Sequence, residues 1–213
     1  IGVQTCALPI WFNVMKLAIF DYGAGNIFSL KVALEKQNAE VDVINNFDTA
    51  NNYSGLILPG VGNFDPAIRS IRDYSSKSFS DYVKDTVPVL GICLGMEMFF
   101  EKSEEGKEKG LAAIDGDVVL LPNKFKIPHM GWNSLNIRKS SPLLDGVQEQ
   151  SWVYFVHSYR VKPKNYDIVI ADSDYGIEVP AVINKGNLYG TQFHPEKSDR
   201  KSTRLNSSHM SES

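Results

Sequence analysis

The chain has 213 residues, 43% of them apolar and 22% charged, and carries a formal net charge of −3 at pH 7. That length fits one domain with a substantial core, and the composition is that of an ordinary soluble globular protein. The slightly acidic balance speaks against nucleic acid or an anionic membrane as the main partner, and no apolar run approaches a membrane-spanning length.

In chain order, the opening IGVQTCALPIWFNV lacks the basic leader and small-residue cleavage site of a signal peptide. That stretch and the polar, serine-rich close DRKSTRLNSSHMSES resemble translated adapter or vector sequence. A single domain is therefore expected over 15–198, with 1–14 and 199–213 as extraneous tails. Of the two cysteines, Cys6 and Cys93, only Cys93 then belongs to the domain, and a reducing, cytoplasmic compartment is the expectation.

LAIFDYG, from Leu17, is a short apolar run that reads as a strand, and Asn26 can cap a helix with Ile27, Leu30 and Leu34 on one face. VDVINN and GLILPG read as further strands, with Asp65–Tyr74 and Ser78–Thr86 as helices near them. VPVLGI is a fourth strand, leading into a helix over LGMEMFFEKS. This βαβ-like succession predicts a largely parallel sheet with helices on both faces. After Gly110 the texture changes: DGDVVLLP, WNSLNIR, SWVYFVHSYRV, DIVIADS, VPAVIN and NLYGTQF read as strands with little room for helices. The expected fold class is α/β, with a mixed, mostly parallel sheet and an antiparallel portion in the C-terminal half.

The chemistry concentrates at GICLG, where a strand delivers Cys93 to a tight turn and a helix begins at once. This is the thiol counterpart of the G-x-S-x-G nucleophile elbow. It predicts a sulfur exposed at the carboxyl edge of the sheet, with a helix start behind it favouring thiolate. A cysteine at such a junction is more often a small buried apolar residue, so the reading needs a base and an orienter. His194 and Glu196, in GTQFHPEKS, supply both if the segment is extended, because residues i and i+2 then share a side. LPGVGNF offers successive backbone N–H groups at Gly60, Val61 and Gly62 for an oxyanion, joined by the N–H of Leu94. Alone, it is simply a turn.

Together, GICLGM, the distal HPE and PGVG resemble the class I, triad-type glutamine amidotransferases. FDYGAGNIFSL, PHMGWN and YFVHSY make the chain similar, within them, to the glutaminase subunits of imidazole glycerol phosphate synthase. The resemblance covers essentially all of 15–198. It implies that Cys93 attacks the carboxamide carbon of glutamine, that His194 serves as base and then acid, and that Glu196 orients His194. It places Gly60, Val61, Gly62 and Leu94 in the oxyanion region. Gly62, Glu97, Glu105, His157, Ser158 and Tyr159 fall in the glutamine pocket. It sets Trp132 and Asn133 of PHMGWN, with Tyr154, against a cyclase subunit, a (β/α)8 barrel that consumes the ammonia. No metal or other cofactor is implied.

Read without the resemblance, Trp132 and Tyr154 are ordinary packing aromatics, His157 a satisfied strand histidine, and Glu105 part of a solvated EKSEEGKEK turn. Two features depart from the family pattern. Glu97 stands where the family usually has glutamine, which removes the amide donors and adds charge beside a forming thiolate. Past HPEKS the family continues into a closing helix, where this chain has DRKSTRLN. Two other readings stay open: a glutaminase serving another partner, for example in a sugar pathway, and a catalytically weak regulatory subunit.

Overall fold

The computed structural model describes residues 15–23, 26–73, 79 and 87–198. Both terminal segments lie outside the described residues, as does the expected helix over Ser78–Thr86 apart from Phe79. β1 (Lys16–Phe20), α1 (Ile27–Glu35), β2 (Glu40–Ile44), β3 (Gly55–Leu58), α2 (Phe64–Asp73) and β4 (Val89–Ile92) come in the expected order. Asn26 caps α1, its side-chain oxygen accepting from the Ser29 N–H at 3.2 Å. α2 buries Phe64, Ala67, Ile68 and Ile71, the spacing of one helical face.

Together with β13 (Leu188–Thr191) these strands form a parallel array in the order β2–β1–β3–β4–β13. The same eight-stranded sheet then turns antiparallel through β12 (Glu178–Lys185), β11 (Val169–Asp174) and β8 (Asn136–Ile137). Both faces of the parallel array are covered. Along β1, Ala18 and Phe20 enter the cluster that holds the buried face of α2, while Ile19 enters the one that holds Leu30 of α1. Two small sheets flank the main one. β5 (Lys102–Ser103), β6 (Gly116–Leu120) and β10 (Tyr159–Pro163) form the first, and β7 (His129–Ser134) with β9 (Trp152–His157) the second. Among the described residues, no helix is long and apolar enough to cross a membrane.

Two expectations are corrected. The helix over LGMEMFFEKS is a single turn, α3 (Leu94–Glu97). Met98, Phe99 and Phe100 are wholly buried, and their carbonyls accept from the N–H groups of residues 111–114 instead of from a continuing helix. SWVYFVHSYRV is two strands in different sheets, β9 and β10, broken at Ser158, whose carbonyl accepts from Leu121.

Candidate active site

Three neighbouring parallel strands end at one place. β3 runs into Pro59–Gly62, β4 into Cys93 and β13 into His194. The ends of β3 and β4 clasp each other closely. A Cβ on Gly60 would stand 1.7 Å from the Ile92 carbonyl oxygen, and one on Gly95 2.1 Å from that of Leu58. Only glycine allows these approaches. Cys93 sits at φ 50° and ψ −110°, a strained setting for a side-chain-bearing residue and the one an elbow requires. Tyr22, buried beyond β1, donates its hydroxyl to the Pro59 carbonyl and so holds the start of the PGVG segment.

The sulfur is not exposed as expected: Cys93 is 7% accessible. Nor does its setting favour thiolate. Burial, then the nearby Glu97 carboxyl, push the thiol well above the usual thiol range, and the donated Leu94 and Gln192 N–H groups offset only part of this. One turn of helix carries too few aligned peptides to reverse that. Glu97 is itself 4% accessible, and burial raises its carboxyl to about 8.

On the facing turn, His194 Nδ1 lies 2.9 Å from Glu196 Oε1. The two meet because Pro195 begins a short 3-10 turn over Pro195–Lys197, not because the segment is extended as the sequence suggested. Burial would raise the Glu196 carboxyl, but the hydrogen bond and charge of His194 outweigh it and hold the group below its ordinary value. Nδ1–H therefore points at Glu196, leaving the lone pair on Nε2. That nitrogen is buried and bonded to nothing among the described residues, the Cys93 thiol included. The thiol instead points to the Val156 carbonyl at 3.9 Å. Nucleophile–base contacts of this kind are often long before substrate binds.

Cys93 and His194 line one cavity of about 320 Å3 with Gly60, Val61, Gly62, Leu94, Glu97, Glu105, His157, Ser158 and Tyr159. Every oxyanion and glutamine-pocket residue expected from the sequence is on that wall. Glu105 lines the cavity and accepts from the Phe64 N–H at the start of α2 at 3.2 Å, whereas its neighbour Glu104, not among the lining residues, accepts from the Leu120 N–H at 2.7 Å. His157 is both a satisfied histidine and a pocket residue. Its Nδ1 donates to the Tyr159 carbonyl at 2.6 Å, so Nε2 accepts from His129 Nδ1 at 2.9 Å. Burial drives both rings to the neutral form, His157 to about 3 and His129 to about 4. Trp132, Asn133 and Tyr154 stand apart from the cavity, half-exposed on the β7–β9 pair. Trp132 and Tyr154 face each other in register, edge to face at 5.8 Å, and Met130 beside them is 60% exposed.

The sequence reading missed Val156 and Gln192 and set Pro128, the first residue of PHMGWN, on the partner-facing surface; all three line or abut the same site. Gln192 was within reach, because it precedes His194 by two residues on the same segment. Among the described residues, no group of His, Cys, Asp or Glu could hold a metal ion.

The model of the glutamine amidotransferase class-I family matches residues 18–207. The chain belongs to the class-I glutamine amidotransferases. Imidazole glycerol phosphate synthase subunit HisH of Geobacillus sp. (strain WCH70) is 48% identical over 190 residues, covering 85% of this chain and 90% of that protein. The HisH subunit of Caldanaerobacter subterraneus subsp. tengcongensis is 46% identical over 184 residues, 85% of this chain and 91% of that protein. Among solved structures, PurLQS from Thermotoga maritima superposes with a TM-score of 0.71 at 16% identity, covering 89% of this chain and 92% of that one. That likeness shows the amidotransferase fold, a mixed sheet of mainly parallel strands. The HisH relatives place the chain in the branch that PHMGWN and YFVHSY suggested.

Proposed function

We propose that the chain hydrolyses glutamine to glutamate and ammonia through a thioester on Cys93. It hands the ammonia to a cyclase subunit of (β/α)8-barrel fold, which makes imidazole glycerol phosphate in histidine biosynthesis, in the cytoplasm. The observation that carries this reading is the single cavity in which an elbow cysteine, an oriented histidine and the PGVG backbone converge.

In the mechanism, Cys93 Sγ attacks the carboxamide carbon while its proton passes to His194 Nε2. The carbonyl oxygen takes the negative charge, against backbone N–H groups of Gly60–Gly62 and Leu94. The tetrahedral species collapses, the C–N bond breaks, and His194 returns the proton to the departing ammonia. Water then adds to the thioester with His194 as base, the C–S bond breaks, and glutamate leaves. Glu196 keeps the imidazole in the tautomer these transfers need. Glu105, on the cavity wall, suits the ammonium end of glutamine, and Glu97, neutral below about pH 8, offers a carboxyl oxygen as acceptor beside it. Trp132, Asn133 and Tyr154 form the surface that meets the cyclase.

With a thiol held protonated and a base that does not touch it, the free subunit is expected to be slow. The test measures glutamate release with and without a cyclase subunit carrying its ribulosyl ligand, with Cys93→Ala as control. Strong release that needs both partner and Cys93 supports the reading, and a folded complex that releases none refutes it.

A further inference from the structure

One buried amide beside the nucleophile has no part in the mechanism above. Gln192, just past β13, is wholly inaccessible to solvent, so water cannot replace its bonds. Its Nε2 lies 3.0 Å from Glu97 Oε1 and 3.7 Å from Cys93 Sγ. An amide nitrogen carries two N–H groups, so one side chain serves both neighbours at once. No other side chain among the described residues donates to either group. The sulfur and the carboxyl oxygen are both acceptors, so the nitrogen end of the amide is the one that suits them.

We propose that Gln192 is a positioning residue that couples Cys93 to Glu97, its amide bridging the nucleophilic sulfur and the carboxyl beside it. The proposal rests on the glutaminase reading, in which Cys93 is the nucleophile. Its logic is one of charge. A thiolate and a carboxylate side by side in a dry cavity each raise the other, so the pair accommodates one negative charge far better than two. The other ionisable groups facing the pair are the acids Tyr22 beyond β1, Glu105 and Tyr159 on the cavity wall and Glu196 behind His194, together with the cavity-wall histidines His157 and His194. None of the acids favours a negative charge, and burial keeps His157 neutral. Gln192, with the Leu94 N–H at the sulfur, supplies the opposing donors. While Glu97 holds its proton, the amide is free to favour the forming thiolate. Once Glu97 ionises, the amide faces two negative charges in place of one and the thiolate is penalised.

The test is the pH dependence of Cys93 alkylation by iodoacetamide on the full chain, read by peptide mass spectrometry so that Cys6 is counted separately. In the native chain the logarithm of the rate should rise with pH and break to a shallower slope near pH 8, where Glu97 ionises. Gln192→Met keeps the length of the side chain and removes both N–H groups. It should slow alkylation about tenfold at neutral pH and move the break upward, because Glu97 also loses its donor. A merely structural role would change the rate without moving the break. Gln192→Asn, which keeps the amide but draws it back by a methylene, gives the same test if the Met variant does not fold. A break that stays near pH 8 in either folded variant overturns the proposal, whatever happens to the rate. Alkylation requires no turnover, so failure to hydrolyse glutamine would be seen separately and would count against the glutaminase reading alone.

Discussion

After β13, His194 and Glu196 are already joined, and the turn that carries them is tied to β9 through the His194 N–H and the Tyr154 carbonyl at 3.0 Å. After β4, by contrast, Cys93 is buried with its proton held tightly, beside a carboxyl that opposes its ionisation. The two turns differ in readiness. In the proposed mechanism the base and its orienter are a finished pair, whereas the nucleophile waits for its surroundings to change. Activation by substrate or partner therefore has to act on the thiol side, by bringing charge-stabilising donors to the sulfur or by keeping Glu97 neutral. This is also economical, since a site that already held thiolate against a free histidine would hydrolyse glutamine with no acceptor for the ammonia.

The largest effect expected from breaking this contrast is at the nucleophile itself. Cys93→Ala should take glutamate release to background, a loss of about a thousandfold or more, because no other group near His194 can form the thioester. Breaking the finished half should cost less. Glu196→Gln leaves the imidazole in place but removes the carboxylate that fixes its tautomer and stabilises it when protonated. We expect kcat to fall on the order of a hundredfold or more with KM little changed, measured at saturating glutamine in the partner complex. A loss confined to KM would mean that Glu196 acts on substrate binding instead.

The finished half was easier to read from the sequence. His194 and Glu196 lie two residues apart, and the strand before them announces itself by composition, so local rules brought them together even though the segment bends into a 3-10 turn. GICLG likewise revealed the elbow, because the crowding that requires Gly95 is set by strand neighbours in a parallel array. The state of the sulfur was legible only in part: Glu97 was read as opposing thiolate, but the burial that opposes it more was not. Its proton affinity comes first from burial by the folded chain and then from Glu97, and the amide that offsets part of it lies almost a hundred residues further along the chain. The extent of α3 was misread for the same reason. MEMFF has the composition of a helix interior, and only the approach of residues 111–114 shows that its carbonyls are already taken.

Sharpening the contrast from the thiol side predicts an intermediate effect. In Glu97→Gln the carboxyl can no longer ionise against Cys93, so the ratio of its kcat/KM to that of the native chain should climb several-fold as pH rises through about 8. Stability should follow. Burial raises the Glu97 carboxyl to about 8 in the fold against an ordinary value of 4.5, so between those values the native state holds a proton that the unfolded chain has released. Native stability therefore falls as pH rises across that window and levels off above it. The Tm advantage of Glu97→Gln should widen from pH 5 to pH 8 and then stay constant. A gap that does not change with pH would place the Glu97 carboxyl in solvent-like surroundings.

The smallest effect tests whether the histidine turn owes its readiness to the strand that carries Tyr154. Ser198 Oγ donates to the His194 carbonyl at 2.7 Å and accepts from the Tyr154 N–H at 2.9 Å, so one hydroxyl pins the turn to β9. Ser198→Ala removes both bonds, but the site is only half-buried and water can take up part of the loss. The cost should be about 1 kcal/mol in urea unfolding, with kcat reduced two- to threefold. If this clamp carries the partner's influence to the base, the activity loss should be larger in the cyclase complex than in the free subunit. An equal loss in both would mean that Ser198 only steadies the fold, and would leave the nucleophile turn as the element on which activation acts.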